Sequence, residues 1–201
     1  MTALIGVGVG PGDPELVTAR AVRVLREADA VLAPSTAPDA VGRAESIVRQ
    51  ACPEVCVERL VFEMAPSTTE RVTALGHAAA RVVELLDAAE RVAFVTLGDP
   101  NIYSTFSSLA EAVRDIRPET DVQTVPGIMA FQELAARAST GLLCGTERLS
   151  LVTALDGPEA LDGVLDGPDE AVVVYKGGRH LPAVAKRLAD SGRLDDAVAG
   201  E

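Results

Sequence analysis

Short apolar runs of β type alternate with amphipathic stretches along the chain. Leu4–Val9, Ala30–Ala33, Val55–Phe62, Val92–Leu97, Val122–Val125, Leu149–Thr153 and Ala171–Tyr175 read as strands. Between them the apolar residues recur at helical spacing. In the first such stretch Val17, Ala21, Val24, Leu25 and Ala28 share one face, while Arg20, Arg23, Arg26 and Glu27 lie elsewhere. Asp13 supplies its N-cap and Pro14 its first helical position. Thr68–Ala88, Ser104–Ile116, Ile128–Ala138 and Leu181–Ser191 read as further helices. Strands alternating with helices predict an α/β fold of mostly parallel sheets joined by helical crossovers. The polar stretch Arg117–Asp121, containing Pro118, is the best domain boundary. It divides the chain into an N-terminal α/β domain, 1–118, and a C-terminal one, 119–201. Gly157, Pro158, Gly163, Gly167 and Pro168 mark surface turns.

Composition narrows the function classes. A chain of 201 residues holds one large domain or two small ones, and 48% hydrophobic residues build a real core. No apolar run is long enough to span a membrane, and no basic leader with a cleavage site stands at the N-terminus, so a cytoplasmic protein is expected. Cys52, Cys56 and Cys144 are odd in number and lack framework spacing. With only His77 and His180 besides, no metal site is expected. The net charge of −12 argues against a nucleic-acid partner. Sixteen of the cations are arginine and two, Lys176 and Lys186, are lysine; arginine is the better clamp for carboxylates.

The stretch LIGVGVGPGDPELVT, residues 4–18, looks at first like a phosphate loop. A dinucleotide fingerprint, G-x-G-x-x-G, fails in both registers, because Pro11 or Asp13 stands where the third glycine belongs. A Walker loop needs a lysine, and none occurs before Lys176. Asp13 at a helix start would also repel a phosphate. What remains is a side-chain-poor turn at the carboxyl end of the first strand, where open α/β sheets place ligands. A plain strand-to-helix turn explains this loop alone equally well. Two further stretches have the same build. RVAFVTLGDPNIYSTF, residues 91–106, is a strand ending in Gly98-Asp99-Pro100, with Ser104 opening a helix; VQTVPGIMAFQELAARA, residues 122–138, breaks at Pro126-Gly127. Three such turns, one carrying a carboxylate, point to a composite small-molecule site at strand ends.

GxGPGDPELVT, LGDPNIYSTF and VPGIMAFQ, in this order, resemble the tetrapyrrole methylase family, the S-adenosylmethionine-dependent methyltransferases of corrin and sirohaem synthesis. The similarity runs from residue 4 to the last residue. YSTF after GDP, FQ-x-x-AAR after PGI, and KGGRHLP most resemble the C20-methyltransferases of precorrin-2 or cobalt-factor II. The resemblance implies two α/β domains with S-adenosylmethionine held in the cleft between them, usually in a homodimer, and a tetrapyrrole substrate. Carried onto this chain, it implies that Leu97, Gly98, Asp99 and Ile102 line the methionine and ribose of the cofactor. Met129 and Ala130 would join from the PGI turn, Lys176 from the YKGG turn, and Pro11 where the first loop approaches the site. Glycines let backbone groups come close to a ligand, and the Asp99 charge favours a nearby sulfonium.

A methyl sulfonium is already activated, so catalysis is mainly alignment and exclusion of water. Tyr103 is the nearest base by sequence, but packing explains it better, and no catalytic base is assigned. Some sirohaem-pathway relatives carry an aspartate after the second strand, where this chain reads Pro34. The chain also departs from its relatives in STGLLCGTERL, which lacks the usual proline turn, and it stops at Glu201 where relatives run on for some tens of residues. Other readings are another methyltransferase of the family (a different corrin carbon, uroporphyrinogen III, or a diphthine synthase-like reaction), a nucleotide-dependent α/β enzyme, and a non-catalytic cofactor-binding relative. The substrate class that the resemblance implies carries many carboxylates, and screening limits exposed charges to about 8 Å. Arginines near the motif turns, Arg179 and Arg137 with Arg148 behind them, are therefore expected to bind the acidic arms.

Overall fold

The computed structural model describes residues 2–62, 68–167 and 171–200, so Pro168 lies outside the described residues. Its chain divides into two compact units, Met1–Ala130 and Phe131–Glu201. The first is built from β1 (Ala3–Gly8), α1 (Ala19–Glu27), β2 (Ala30–Ser35), α2 (Arg43–Ala51), β3 (Val57–Val61), α3 (Thr68–Ala88), β4 (Arg91–Thr96), α4 (Thr105–Ile116) and β5 (Asp121–Val125). Its five strands form one parallel sheet in the order β3-β2-β4-β1-β5. Alternation along the strands sends side chains to two layers. Ile5, Val7, Val31, Ala33, Ala93 and Val95 pack with α1 and α2 on one face. Leu4, Leu32, Leu60, Val92 and Phe94 pack with α3 and α4 on the other. The two central strands are buried along nearly their whole length, as a sheet covered on both faces requires.

The polar stretch 117–121 is a turn inside the first unit, not a boundary. Thr120 N donates to the Arg117 carbonyl, and β5 then pairs with β1 from Ala3↔Asp121 to Val7↔Val125. The division falls nine residues later, between Ala130 and Phe131. A break in hydrophobicity between a helix and the next strand marks a crossover as readily as a linker. Asp13 is also corrected: it caps a short 3-10 turn, Pro14–Leu16, and Thr18 caps α1 by accepting from Ala21 N. Helix α2 is absent from the sequence reading. Its apolar stripe is interrupted by Glu45, whose side chain is fully buried. Arg59 on β3 holds that carboxylate through two bonds of 2.7 and 3.0 Å, and Arg49 pairs with it at 2.6 Å. The Arg59 hydrogen bonds hold the Glu45 carboxyl below the usual range against the opposing effect of burial.

The second unit contains most of α5 (Ala130–Arg137), then β6 (Leu149–Thr153), β7 (Ala171–Tyr175) and α6 (Leu181–Asp190). Strands β6 and β7 pair in parallel, and Ala154, Leu161, Leu165 and Val184 form a small core over them with Val172 and Val174.

Candidate functional site

The strand order makes the site. From β1 the chain crosses one face to β2 and β3, and from β4 it crosses the other face to β5. The loops after β1 and β4, which are neighbouring strands, therefore lead to helices on opposite faces of the sheet. Their carboxyl ends are the switch point where α/β sheets bind ligands. Strand β5 lies on the other side of β1, so the PGI turn joins the same rim.

The alternating glycines of GVGVG are explained here. Val7 and Val9 go to the α1/α2 core, leaving Gly6 and Gly8 to make the opposite face bare. That face is filled by other parts of the chain. A Cβ on Gly6 would stand 2.5 Å from the Phe106 ring of α4. One on Gly8 would stand 2.4 Å from the Gly98 carbonyl oxygen and 2.7 Å from Gly127 N. One on Gly127 would stand 2.1 Å from the same Gly98 oxygen. The three motif turns thus pack backbone against backbone. Gly10 closes the knot, its carbonyl accepting from Gly98 N at 2.8 Å.

Asp99 fastens two of these turns. Its Oδ1 accepts from Asn101 N at 2.8 Å and Asn101 Nδ2 at 3.0 Å, and its Oδ2 accepts from Gly127 N at 3.1 Å. The residue is buried, so these charge-assisted bonds cross-link the GDP and PGI turns with little competition from water. Asn101, which the sequence reading passes over, is legible as the second half of an Asp-x-Asn turn. Ser104 caps α4, accepting from Phe106 N and donating to Thr96 Oγ1 at 3.0 Å.

Of the residues singled out by sequence, Gly98, Asp99, Ile102 and Met129 stand on this rim, and Met129 Sδ would lie 3.1 Å from a Cβ on Gly98. Gly98 has φ +61°, so its glycine is demanded by the turn as well as by any ligand. Leu97 and Ala130 are exposed, Pro11 is half-buried, and Tyr103 is 43% exposed with φ +49°. Lys176 and Arg179 belong to the second unit, where Lys176 is exposed at the end of β7 with φ +58° and Arg179 is exposed in a 3-10 turn before α6. Arg137 is exposed on α5 and paired with Glu133 one turn before it; Arg148 is exposed just before β6. Among the described residues no group of three His, Cys, Asp or Glu side chains could share a metal ion, and no helix is long and apolar enough to cross a membrane.

The chain is 35% identical to a precorrin-2 C(20)-methyltransferase of Sinorhizobium sp, over 97% of this chain and 81% of the relative. It is 30% identical to a cobalt-precorrin-2 C(20)-methyltransferase of Salmonella typhimurium, with the same coverage of both chains. Among solved structures, a cobalamin synthesis related protein (CobF) from Corynebacterium diphtheriae superposes with a TM-score of 0.69 at 20% identity, covering 96% of this chain and 94% of the other. A uroporphyrin-III C-methyl transferase from Thermus thermophilus, solved with S-adenyl homocysteine, does so with a TM-score of 0.63 at 22% identity, covering 95% and 77%. Likeness at that identity establishes the fold. The profile of the tetrapyrrole (corrin/porphyrin) methylases matches residues 3–201, and the chain belongs to that family.

Proposed function

We propose that the protein is an S-adenosylmethionine-dependent methyltransferase of corrin (cobalamin) biosynthesis that methylates C20 of precorrin-2 or cobalt-factor II. The observation that carries the reading is the convergence of the three motif turns at one switch point, in a chain 35% identical to a precorrin-2 C(20)-methyltransferase.

The rim suits such a cofactor chemically. It offers the apolar side chains of Leu97 and Ile102, with the buried Met129 and the buried carboxylate of Asp99 beside them. S-adenosylmethionine, when bound, supplies an activated methyl group on a sulfonium. Pro11, Leu97, Gly98, Asp99, Ile102, Met129 and Ala130 are the residues proposed to hold it, with Lys176 contributed from the YKGG turn. The Asp99 oxygens already accept from Asn101 and Gly127, so their role is to fix the turns and supply negative charge beside the sulfonium rather than to abstract a proton. What the chain contributes to rate is then alignment and dryness, which alone account for several orders of magnitude. Arg137 and Arg179 are proposed to bind the carboxylate arms of the tetrapyrrole. The working form is proposed to be a cytoplasmic homodimer.

The test is turnover with methyl-labelled S-adenosylmethionine and three acceptors: precorrin-2, cobalt-factor II and uroporphyrinogen III. The expected product gains one methyl group at C20 of one of the first two. Methylation of uroporphyrinogen III alone, or of none, overturns the reading.

A further inference from the structure

Resting on the methyltransferase reading above, we infer that Tyr103 is a substrate-contacting residue whose ring meets the face of the tetrapyrrole and positions it at the rim. Three observations carry this. The backbone at Tyr103 is left-handed, φ +49°, a conformation that costs a tyrosine energy and a glycine none. A bulky side chain is retained there only where its neighbours over-determine the turn. They do so from both sides. Before it, Asp99 ties down Asn101, and Ile102 N donates to the Asp99 carbonyl. After it, Ser104 is fixed by its bonds to Phe106 N and Thr96 Oγ1.

The strained residue is also not a core residue. Phe62, Phe94 and Phe106 supply the aromatic packing of the α3/α4 layer, whereas Tyr103 is 43% exposed. In a chain with 3% aromatic residues and no tryptophan, Tyr103 sets an exposed ring on the GDP turn at the switch point. Leu97, 40% exposed, opens the same turn that Tyr103 closes, so the GDP turn carries exposed apolar surface at both ends. A flat conjugated macrocycle is the occupant whose chemistry matches an aromatic face beside an apolar edge.

The experiment compares the parent with Y103G and Y103F. Glycine adopts φ +49° freely, and the relief offsets its greater freedom when unfolded, so Y103G should melt within a few degrees of the parent. Y103G should raise KM for the tetrapyrrole about tenfold, the scale of one aromatic stack. Its affinity for S-adenosylhomocysteine should stay within about twofold of the parent's, and Y103F should recover most of the loss in KM. Parent KM in Y103G overturns the inference. So does a loss of S-adenosylhomocysteine affinity in proportion to the rise in KM, which would make Tyr103 a support of the cofactor turn only. Uroporphyrin fluorescence titration of parent and Y103G separates the two readings. Turnover failing while porphyrin binding still depends on Tyr103 refutes the methylation reading alone; neither turnover nor porphyrin binding in the parent refutes both.

Discussion

Replacing Gly127 by alanine asks whether the three motif turns are one backbone-packed unit. The new Cβ would stand 2.1 Å from the Gly98 oxygen and 2.9 Å from both the Gly8 carbonyl carbon and its Cα. Real Cβ atoms essentially never come within 3.0 Å of such neighbours, so a turn must retreat by about 1 Å. No flexible side chain can absorb this, because every obstacle is backbone. Overpacking of this kind costs about 1–3 kcal/mol. The retreat also stretches the 3.1 Å bond from Gly127 N to Asp99, worth about another 1–2 kcal/mol as a hydrogen bond to a charged group. A total near 3 kcal/mol corresponds to a fall in Tm of about 6–12 °C for a chain of this size. A misplacement of about 1 Å in groups that hold reactants costs about a hundredfold in rate, so turnover should fall by at least that factor. Calorimetric melting, S-adenosylhomocysteine titration and turnover read the three effects. The control is Gly76→Ala in α3, an exposed glycine whose Cβ would meet nothing within 4 Å. It should gain about 0.5–1 kcal/mol from helix propensity. A Gly127→Ala protein that melts and turns over like the parent would refute the packing argument.

Three further outcomes are expected. Asp99→Asn replaces one acceptor oxygen by a donor that faces either Gly127 N or the Asn101 donors; it should cost about 2 kcal/mol in thermal melting and weaken S-adenosylhomocysteine binding in calorimetry. Glu45→Gln should cost about 2 kcal/mol, less than a wholly buried pair, because the Arg59 and Arg49 side chains, 21% and 54% exposed, regain water. Because the folded-state pKa of Glu45 is depressed, its contribution is present above the ordinary carboxylate range and drains as pH falls through the folded value, so melting curves of parent and Glu45→Gln should converge in acid. The double variant Arg137→Gln/Arg179→Gln should raise KM for the tetrapyrrole and leave S-adenosylhomocysteine affinity unchanged; parent-like kinetics at low and high salt would exclude a carboxylate clamp.

Sequence alone determined most of the local structure, and the reason is period. The strands of the first unit alternate or run apolar, α1 and α4 carry one clean apolar stripe each, and Ser104 opens α4 as read, whereas Thr18 and not Asp13 caps α1. Where a local rule was broken the reading failed: Glu45 interrupts the stripe of α2, and its burial makes sense only once Arg59 arrives from a strand fourteen residues on. The motif turns were likewise legible one by one, as Gly-Pro punctuation at strand ends, and their order identified the family. Their convergence was not legible, because adjacency is a property of the strand order β4-β1-β5 and not of any segment. The glycines show the difference most sharply. Their spacing in GVGVG is written in the chain, but the reason for it is not. Phe106, the Gly98 carbonyl and the Gly127 amide reach the bare face of β1 only in the folded protein, where two atoms cannot share one place.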